Sequence, residues 1–222
     1  MLVIAHRGDH SSAPENSLEA FQRALDAGAD GIELDVRTTA DGVPVVMHDP
    51  SLRRTAGLKL RVSKSTSAQI SKARLANGEE VPLFSDVVER FGGRTTLYVE
   101  LKGRGVAAEA ERLALSKPGG RFVFSSFDAR ALEPVQGIPR ALLWDKRGSP
   151  VGAASRLGCS EVHVRLRRLT ARMVPQAHVK GLSILVWDVG DKAGVLRAAR
   201  MDVDGIITDD IRGARFLIRG RT

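Results

Sequence analysis

Two carboxylates stand two residues apart inside an apolar run, Gly31-Ile32-Glu33-Leu34-Asp35-Val36. Because side chains alternate across a β-strand, Glu33 and Asp35 would share one face of it. Two neighbouring buried carboxylates are costly unless something positive lies between them. A divalent cation held by oxygen ligands would supply that charge. The alternative is a pair of acids that form ion pairs at a strand end, and the run alone does not decide between the two.

Polar side chains also follow other predicted strands. Barrels of parallel strands build their active sites from residues at the C-terminal ends of those strands. Four further clusters stand at such positions: His6-Arg7, His48-Asp49, Glu100 with Lys102, and Trp187-Asp188. Structural needs alone do not readily explain five polar clusters at equivalent ends, so we expect them to meet in one site.

The acidic and imidazole members indicate metal binding and proton transfer. Oxygen atoms of Glu33, Asp35 and Glu100 suit one divalent cation, either Mg²⁺ or Ca²⁺. His6 and His48 titrate near neutral pH and are therefore candidates for general acid/base catalysis.

The basic members, Arg7 and Lys102, offer positive charge to an oxyanion, most naturally a phosphate. Phosphodiester hydrolysis needs a cation that polarises a phosphoryl oxygen, a base for the nucleophile's proton and an acid for the departing alkoxide. The sequence therefore favours a metal-dependent phosphodiesterase that acts on a small anionic substrate.

Each member also has a structural explanation. A single histidine at a strand end is commonly just hydrogen-bonded, Glu100 and Lys102 could form an ordinary ion pair, and Trp187 could be a core or rim aromatic. The joint pattern is what favours chemistry.

Four other residues are weaker candidates. We predict that His10 and His178 lie on the surface and that His163 is a strand residue without a role. Arg165, at the end of a predicted strand, could be a further contact for an anion.

Short apolar strands alternate with helical patterns, which is typical of βα units and a mostly parallel sheet. Strands are predicted over 2–5, 31–36, 95–101, 122–125, 140–144, 161–164, 182–186 and 204–208. Helices are predicted over 18–27, 67–75, 85–91, 106–115, 129–135, 151–157, 170–179, 192–200 and 211–218. Asn16 or Ser17 would cap the first helix, and Ser85 would cap the helix that it begins.

The connection after the second strand is too short for a helical crossover. Seven residues separate Val36 from Pro44, and they contain Asp41-Gly42, a strong hairpin signal. Residues 44–48 would then return antiparallel to the second strand and bring His48 near the two carboxylates. We therefore predict a single, distorted (β/α)8 TIM barrel with a β-hairpin after strand 2, forming one domain over residues 1–222.

Composition limits the classes of function. The 34 Lys and Arg against 26 Asp and Glu give a net charge of +8, which attracts anions. Aromatic residues are only 5% of the chain and form no basic-aromatic stripe, so we do not expect nucleic acid binding. Cys159 is the single cysteine, and neither a signal peptide nor an 18-residue apolar run occurs, so we expect a cytoplasmic protein without a transmembrane segment.

Taken together, these motifs resemble those of glycerophosphodiester phosphodiesterases. The resemblance rests on five N-terminal segments, His6-Arg7-Gly8, 13–17, Glu33-Leu34-Asp35-Val36, 41–49 and Glu100-Leu101-Lys102. It continues through Ser126-Phe127-Asp128, 181–187 and 204–209, so it covers nearly the whole chain in order.

The resemblance implies a TIM barrel that uses a divalent cation to hydrolyse glycerophosphodiesters to an alcohol and sn-glycerol 3-phosphate. It implies that His6 and His48 act as acid and base and that Trp187 packs near the glycerol. By the same resemblance Glu33, Asp35 and Glu100 hold the metal, Arg7 and Lys102 approach the phosphate, and Glu15 and Asn16 support the loop after His6.

The chain departs from the family pattern after Trp187, where Asp188-Val189-Gly190 replaces the usual Thr-Val-Asn and adds a negative charge. Two alternatives keep the same site: a lysophospholipase D, or a phosphodiesterase that releases a cyclic phosphate. A third, from another class, is a barrel that binds anions without catalysis.

Overall fold

The computed structural model describes residues 1–103 and 105–219. Its strands are β1 Leu2–His6, β2 Gly31–Thr38, β3 Pro44–Val46, β4 Thr96–Leu101, β5 Arg121–Ser126, β6 Arg140–Trp144, β7 Glu161–Arg165, β8 Ser183–Trp187 and β9 Gly205–Thr208. Its α-helices are α1 Leu18–Asp26, α2 Arg53–Ala56, α3 Ser67–Ile70, α4 Phe84–Phe91, α5 Ala107–Leu115, α6 Ala129–Leu132, α7 Val151–Arg156, α8 Met173–Val179, α9 Lys192–Arg200 and α10 Ile211–Arg219.

Eight parallel strands form a closed barrel. Their order is β1-β9-β8-β7-β6-β5-β4-β2, and pairing of β1 with β2 closes the ring. Helices on the outside cover the apolar outer face of the strands, and a second, smaller apolar cluster that includes Ile4, Tyr98 and Leu185 fills the interior of the barrel. The TIM barrel predicted from the sequence is confirmed. Among the described helices none is long and apolar enough to cross a membrane.

The predicted hairpin after strand 2 is also confirmed. β3 pairs antiparallel with the end of β2, with Val36 opposite Val46 and Thr38 opposite Pro44. β2 is eight residues long and continues beyond Val36, the last residue that pairs with β4. β3 therefore attaches to the overhanging end of β2, and the barrel closes without it.

The segment between β3 and α4 has a small core of its own. Val45, Leu52, Val62 and Ile70 are buried together there. It holds three short helical turns, α2, a 3₁₀ turn at Val62–Lys64, and α3, where we predicted one helix over 67–75.

The predicted length of α3 is wrong: the helix ends at Ile70 because the chain reverses direction shortly afterwards. Thr66 and Gln69 form a capping box that begins the helix. The amide of Leu75 already donates to the carbonyl of Glu79 at 2.8 Å, which closes a tight turn around Gly78 with φ +85°.

The predicted caps differ in outcome. Ser17 caps α1, since its Oγ accepts a hydrogen bond from the amide of Ala20 at 3.1 Å. Ser85 does not cap α4, which begins at Phe84 after Leu83, a residue that makes no side-chain cap. Phe84 is fully buried, so packing rather than a polar cap fixes this helix start. Two further helices are shorter than predicted, α6 over Ala129–Leu132 and α8 over Met173–Val179.

Asp41 at the tip of the hairpin ties it to α3. Its carboxylate accepts hydrogen bonds from the hydroxyl of Thr39 at 2.5 Å and from the amide and hydroxyl of Ser67 at 2.9 and 2.8 Å. These hydrogen bonds lower the pKa of Asp41 to about 2. A carboxyl group whose pKa is depressed on folding stabilises the fold above its unfolded pKa, and the effect is lost as the pH falls toward the folded pKa.

We therefore expect Asp41→Asn to lower the melting temperature at pH 7, with the difference from the wild type shrinking as the pH falls from about 4 toward 2. Thermal unfolding followed by circular dichroism across this range measures it. A difference that stays constant with pH would mean that the ionised carboxylate does not stabilise the hairpin.

Candidate active site

A pocket opens at the C-terminal ends of the barrel strands. It encloses about 100 Å³ and is lined by His6, Arg7, Glu33, His48, Glu100, Lys102, Ser125, Phe127, Leu143, His163, Trp187 and Ile207. Seven of the eight residues predicted for the site are in this lining, and Asp35 lies directly behind it with its side chain 1% exposed.

Three carboxylates converge on one side of the pocket. One oxygen atom from each of Glu33, Asp35 and Glu100 lies within 4.8 Å of the other two, and all three residues are buried. Strand register produces this arrangement, because Asp35 on β2 stands opposite Glu100 on β4 and Glu33 stands opposite His6 on β1. Three buried oxygen ligands at this spacing are a donor set that a hard divalent cation prefers.

Burial and mutual repulsion shift the pKa values of the three carboxylates. Burial raises the pKa of Glu33 to about 8, with the charge of Asp35 as the next cause. The same two causes raise the pKa of Glu100 above its usual value. Burial acts in the same direction on Asp35, but the charges of Lys102 and Arg7 outweigh it, so the pKa of Asp35 is lowered. The group as a whole therefore fits a cation ligand set.

Lys102 and Arg7 supply the positive charge beside these acids. Lys102 Nζ lies 3.1 Å from Asp35 Oδ1 and 2.7 Å from Glu100 Oε1. Arg7 Nε lies 3.3 Å from Asp35 Oδ2, an ion pair without hydrogen-bond geometry, and its backbone amide donates to Glu33 Oε2 at 3.1 Å. The next residue must be glycine, since a Cβ on Gly8 would lie 2.7 Å from the backbone of α1 at Ala20.

Asn16 fixes the position of Asp35. The buried Asn16 donates from Nδ2 to Asp35 Oδ2 at 2.9 Å, and its Oδ1 accepts from the backbone amide of Asp35 at 3.3 Å. Asn16 has φ +58°, a conformation that asparagine tolerates better than most residues. The sequence placed this residue only as support for the loop after His6, whereas its side chain contacts a carboxylate of the site.

Because of this contact we expect Asn16→Gly to raise the concentration of divalent cation needed for half-maximal activity by about 10- to 100-fold, as is usual for residues that orient metal ligands. Glycine keeps the positive φ open, so the change removes the side chain without backbone strain. Metal titrations of activity measure the shift. Asn77→Gly, at the other asparagine of the chain, is the control; an equal shift in both variants would contradict the role of Asn16.

Both histidines of the site are held by a carboxylate at Nδ1. His6 Nδ1 lies 2.8 Å from Asp209 Oδ1, and His48 Nδ1 lies 2.8 Å from Asp49 Oδ1. Burial lowers the pKa of His6, but the hydrogen bond to Asp209 and the charge of Glu33 outweigh it, so the pKa is raised. Burial dominates at His48, whose pKa is lowered. The second ring nitrogen, Nε2, is left for proton transfer in both residues.

The loop that carries His48 is held by two arginines. Arg37 donates from Nε and Nη2 to the carbonyl of His48 at 2.8 and 2.6 Å. Arg54 binds Asp49 at 2.7 Å and also Glu15 at 2.7 Å, which joins this loop to the one after β1. The hairpin therefore delivers His48 to the pocket as its spacing predicted.

Three residues of this site, His10, His163 and Asp209, are not assigned a role there from the sequence. His10 was predicted as a surface residue, but it is partly buried and its Nε2 lies 3.1 Å from Asp209 Oδ1. His163 was assigned no role, yet it lines the pocket. Asp209 stood in a quoted motif without a role of its own. His178 is exposed, as predicted.

The far wall of the pocket is aromatic. The rings of Phe127 and Trp187 meet edge to face with centroids 5.5 Å apart, and the Arg165 guanidinium lies 5.3 Å from the Trp187 ring. Arg165 also binds Asp145 at 2.9 Å and Asp188 at 2.6 Å. The guanidinium of Arg165 therefore offsets the extra negative charge of Asp188.

Comparisons with known proteins agree with this geometry. The model of the glycerophosphoryl diester phosphodiesterase family matches residues 6–212. A glycerophosphodiester phosphodiesterase of Caldanaerobacter subterraneus subsp. tengcongensis is 33% identical, covering 98% of both chains.

Solved structures share the fold. A glycerophosphodiester phosphodiesterase of Thermotoga maritima has a TM-score of 0.85 and 31% identity over 98% of each chain. An Oleispira antarctica phosphodiesterase, in complex with the product sn-glycerol-3-phosphate, has a TM-score of 0.86 and 24% identity over 99% of this chain and 97% of its own. From the family match across nearly its whole length and the full-length relative, the chain belongs to the glycerophosphoryl diester phosphodiesterase family.

Proposed function

We propose that this phosphoric diester hydrolase cleaves glycerophosphodiesters to an alcohol and sn-glycerol 3-phosphate with one divalent cation, Mg²⁺ or Ca²⁺. One observation carries the proposal: three buried carboxylates, two cationic side chains and two carboxylate-bound histidines surround a single pocket. A small anionic substrate suits the basic side chains of that pocket.

In this proposal Glu33, Asp35 and Glu100 would hold the cation. Their number, their oxygen atoms and the raised pKa of Glu33, about 8, fit a hard divalent ion. When bound, that ion supplies charge stabilisation at the phosphoryl group.

Four side chains of the pocket would act on the substrate directly. Arg7 and Lys102 orient the phosphate and offset its charge. One of His6 and His48 takes a proton from the nucleophile, and the other gives a proton to the departing alkoxide through its free Nε2. Asp209 and Asp49 hold the two rings in the orientation that this transfer needs.

The test is the identity of the products. We expect the protein, with Mg²⁺ or Ca²⁺ added, to convert glycerophosphocholine to choline and sn-glycerol 3-phosphate. Phosphorus NMR of the reaction mixture measures this conversion. A cyclic glycerophosphate would instead mean that the 2-hydroxyl of the substrate is the nucleophile. Absence of any phosphorus-containing product would contradict the proposal.

Three further expectations accompany this function. We propose that residues 1–222 form a single domain and that nucleic acid is not a partner. A cytoplasmic location is in keeping with Cys159, which is buried and unpaired.

A further inference from the structure

One polar atom at the floor of the pocket has no partner. The Nδ1 atom of His163 is buried and makes no hydrogen bond with any described residue. The side chain is 1% exposed, yet His163 belongs to the lining of the pocket. A buried polar atom without a partner costs free energy, so such atoms in an enzyme pocket point to a ligand.

The other ring nitrogen defines what this atom can bind. His163 Nε2 lies 2.8 Å from Glu161 Oε2, two residues earlier on β7. In the tautomer that carries its hydrogen on Nε2, the ring donates to Glu161 and Nδ1 is an acceptor. That acceptor needs a donor, and a hydroxyl group is the simplest one.

The ring is also fixed in direction. The hydrogen bond to Glu161, which precedes His163 by two residues on β7, holds the ring and leaves Nδ1 as the nitrogen without a partner among the described residues. Tyr98 packs across the ring with centroids 5.9 Å apart, and Trp187 Nε1 donates to the His163 carbonyl at 3.1 Å. The acceptor is therefore held in place before a ligand arrives.

The walls around this acceptor limit the ligand to a short group. Leu143, Ile207, Phe127 and Trp187 supply apolar surface, and the whole pocket encloses about 100 Å³. This is room for a few water-sized groups. A three-carbon polyol fits such a space.

We propose that His163 is a specificity-determining residue, whose Nδ1 accepts a hydrogen bond from the terminal hydroxyl of the substrate's glycerol. This rests on the proposed function: with the phosphate at Arg7 and Lys102, the terminal hydroxyl is the group farthest from phosphorus and reaches the pocket floor. The substrate class is then the fully deacylated glycerophosphodiesters. A lysophospholipid acylated at that hydroxyl lacks the donor.

The first experiment compares two substrates on the wild-type enzyme. They are glycerophosphocholine and the analogue in which propane-1,2-diol replaces glycerol, so that only the terminal hydroxyl is missing. We expect kcat/KM to be about tenfold to a hundredfold lower for the analogue, the effect of leaving one buried acceptor unpaired. Equal kcat/KM for both would overturn the inference but leave the proposed function standing, whereas failure to hydrolyse either would contradict that function.

Two variants separate recognition from structural support. The amide of His163→Asn places a polar atom near the position of Nδ1, and that of His163→Gln reaches the position of Nε2 beside Glu161. We expect the discrimination between the two substrates to persist in H163N and to fall to about one in H163Q. If His163 were purely structural, both variants would lose activity on the two substrates alike, and the ratio of the two kcat/KM values would stay unchanged in each variant. Melting temperatures of both variants verify that they are folded. The comparison of the two substrates on the wild-type enzyme does not depend on the variants.

Discussion

We expect replacement of His6 or His48 with alanine to lower kcat for glycerophosphodiester hydrolysis by about 10²–10⁴-fold, the usual effect of losing a general acid or base. Each histidine lines the pocket and has its Nδ1 bound to a carboxylate. Each variant loses one of the two proton transfers, either from the nucleophile or to the leaving alkoxide. The carboxylates and the basic side chains of the pocket remain. We therefore expect KM to change much less than kcat in steady-state assays of sn-glycerol 3-phosphate release.

His178→Ala is the matched control for this experiment. His178 is exposed and bonded to Asp204 at 3.0 Å, away from the pocket lining. We expect its kcat to equal that of the wild type. Unchanged kcat in both H6A and H48A would revive the alternative of a barrel that binds anions without catalysis.

We expect removal of the divalent cation to abolish activity and addition of Mg²⁺ or Ca²⁺ to restore it. In the proposed function the three buried carboxylates would supply the ligands, and without the ion the phosphoryl group would lose a source of charge stabilisation. Dialysis against EDTA, followed by metal titration of sn-glycerol 3-phosphate release, measures this. Because a cation that binds only the folded state stabilises it, the melting temperature should also rise on metal addition.

Glu33→Gln tests the ligand set itself. This change keeps the shape of the side chain and removes one negative ligand, so we expect both the metal-induced rise in melting temperature and the recovery of activity to be lost. Glu109→Gln, at an exposed acid of α5 paired with Arg112, is the control. Full activity of the wild type in metal-free buffer would contradict the proposed role of the carboxylates.

Local patterns in the sequence predict the parts of this site that depend on strand geometry. The alternation around Glu33 and Asp35 puts both on one face, and the Asp41-Gly42 turn brings His48 back to them. These predictions succeed because the relevant distances lie within one strand or one hairpin. The resemblance to a known family added the role of Trp187 near the glycerol, which its position at a strand end does not indicate.

Contacts between distant segments are what the sequence does not reveal. Asp209 and His6 are 203 positions apart in the sequence. The lack of a hydrogen-bond partner at His163 Nδ1 can be recognised only in the folded structure, where the positions of Glu161 and the pocket are known. The start of α4 at Phe84 has the same cause, since burial of Phe84 between the helices and the outer face of the barrel replaces the polar cap that Ser85 was expected to provide. Tertiary packing overrides local preference at each of these positions.

The bond between His6 and Asp209 has a consequence for the order of folding. β1 pairs with β9, so the first strand of the chain waits for the last one before the ring can close. Strand pairings between segments far apart in the sequence form late, and they make folding slower. A chain on the ribosome exposes its N-terminal part first. We therefore expect His6 to lack the carboxylate that holds its Nδ1 until β9 has been synthesised and has paired with β1.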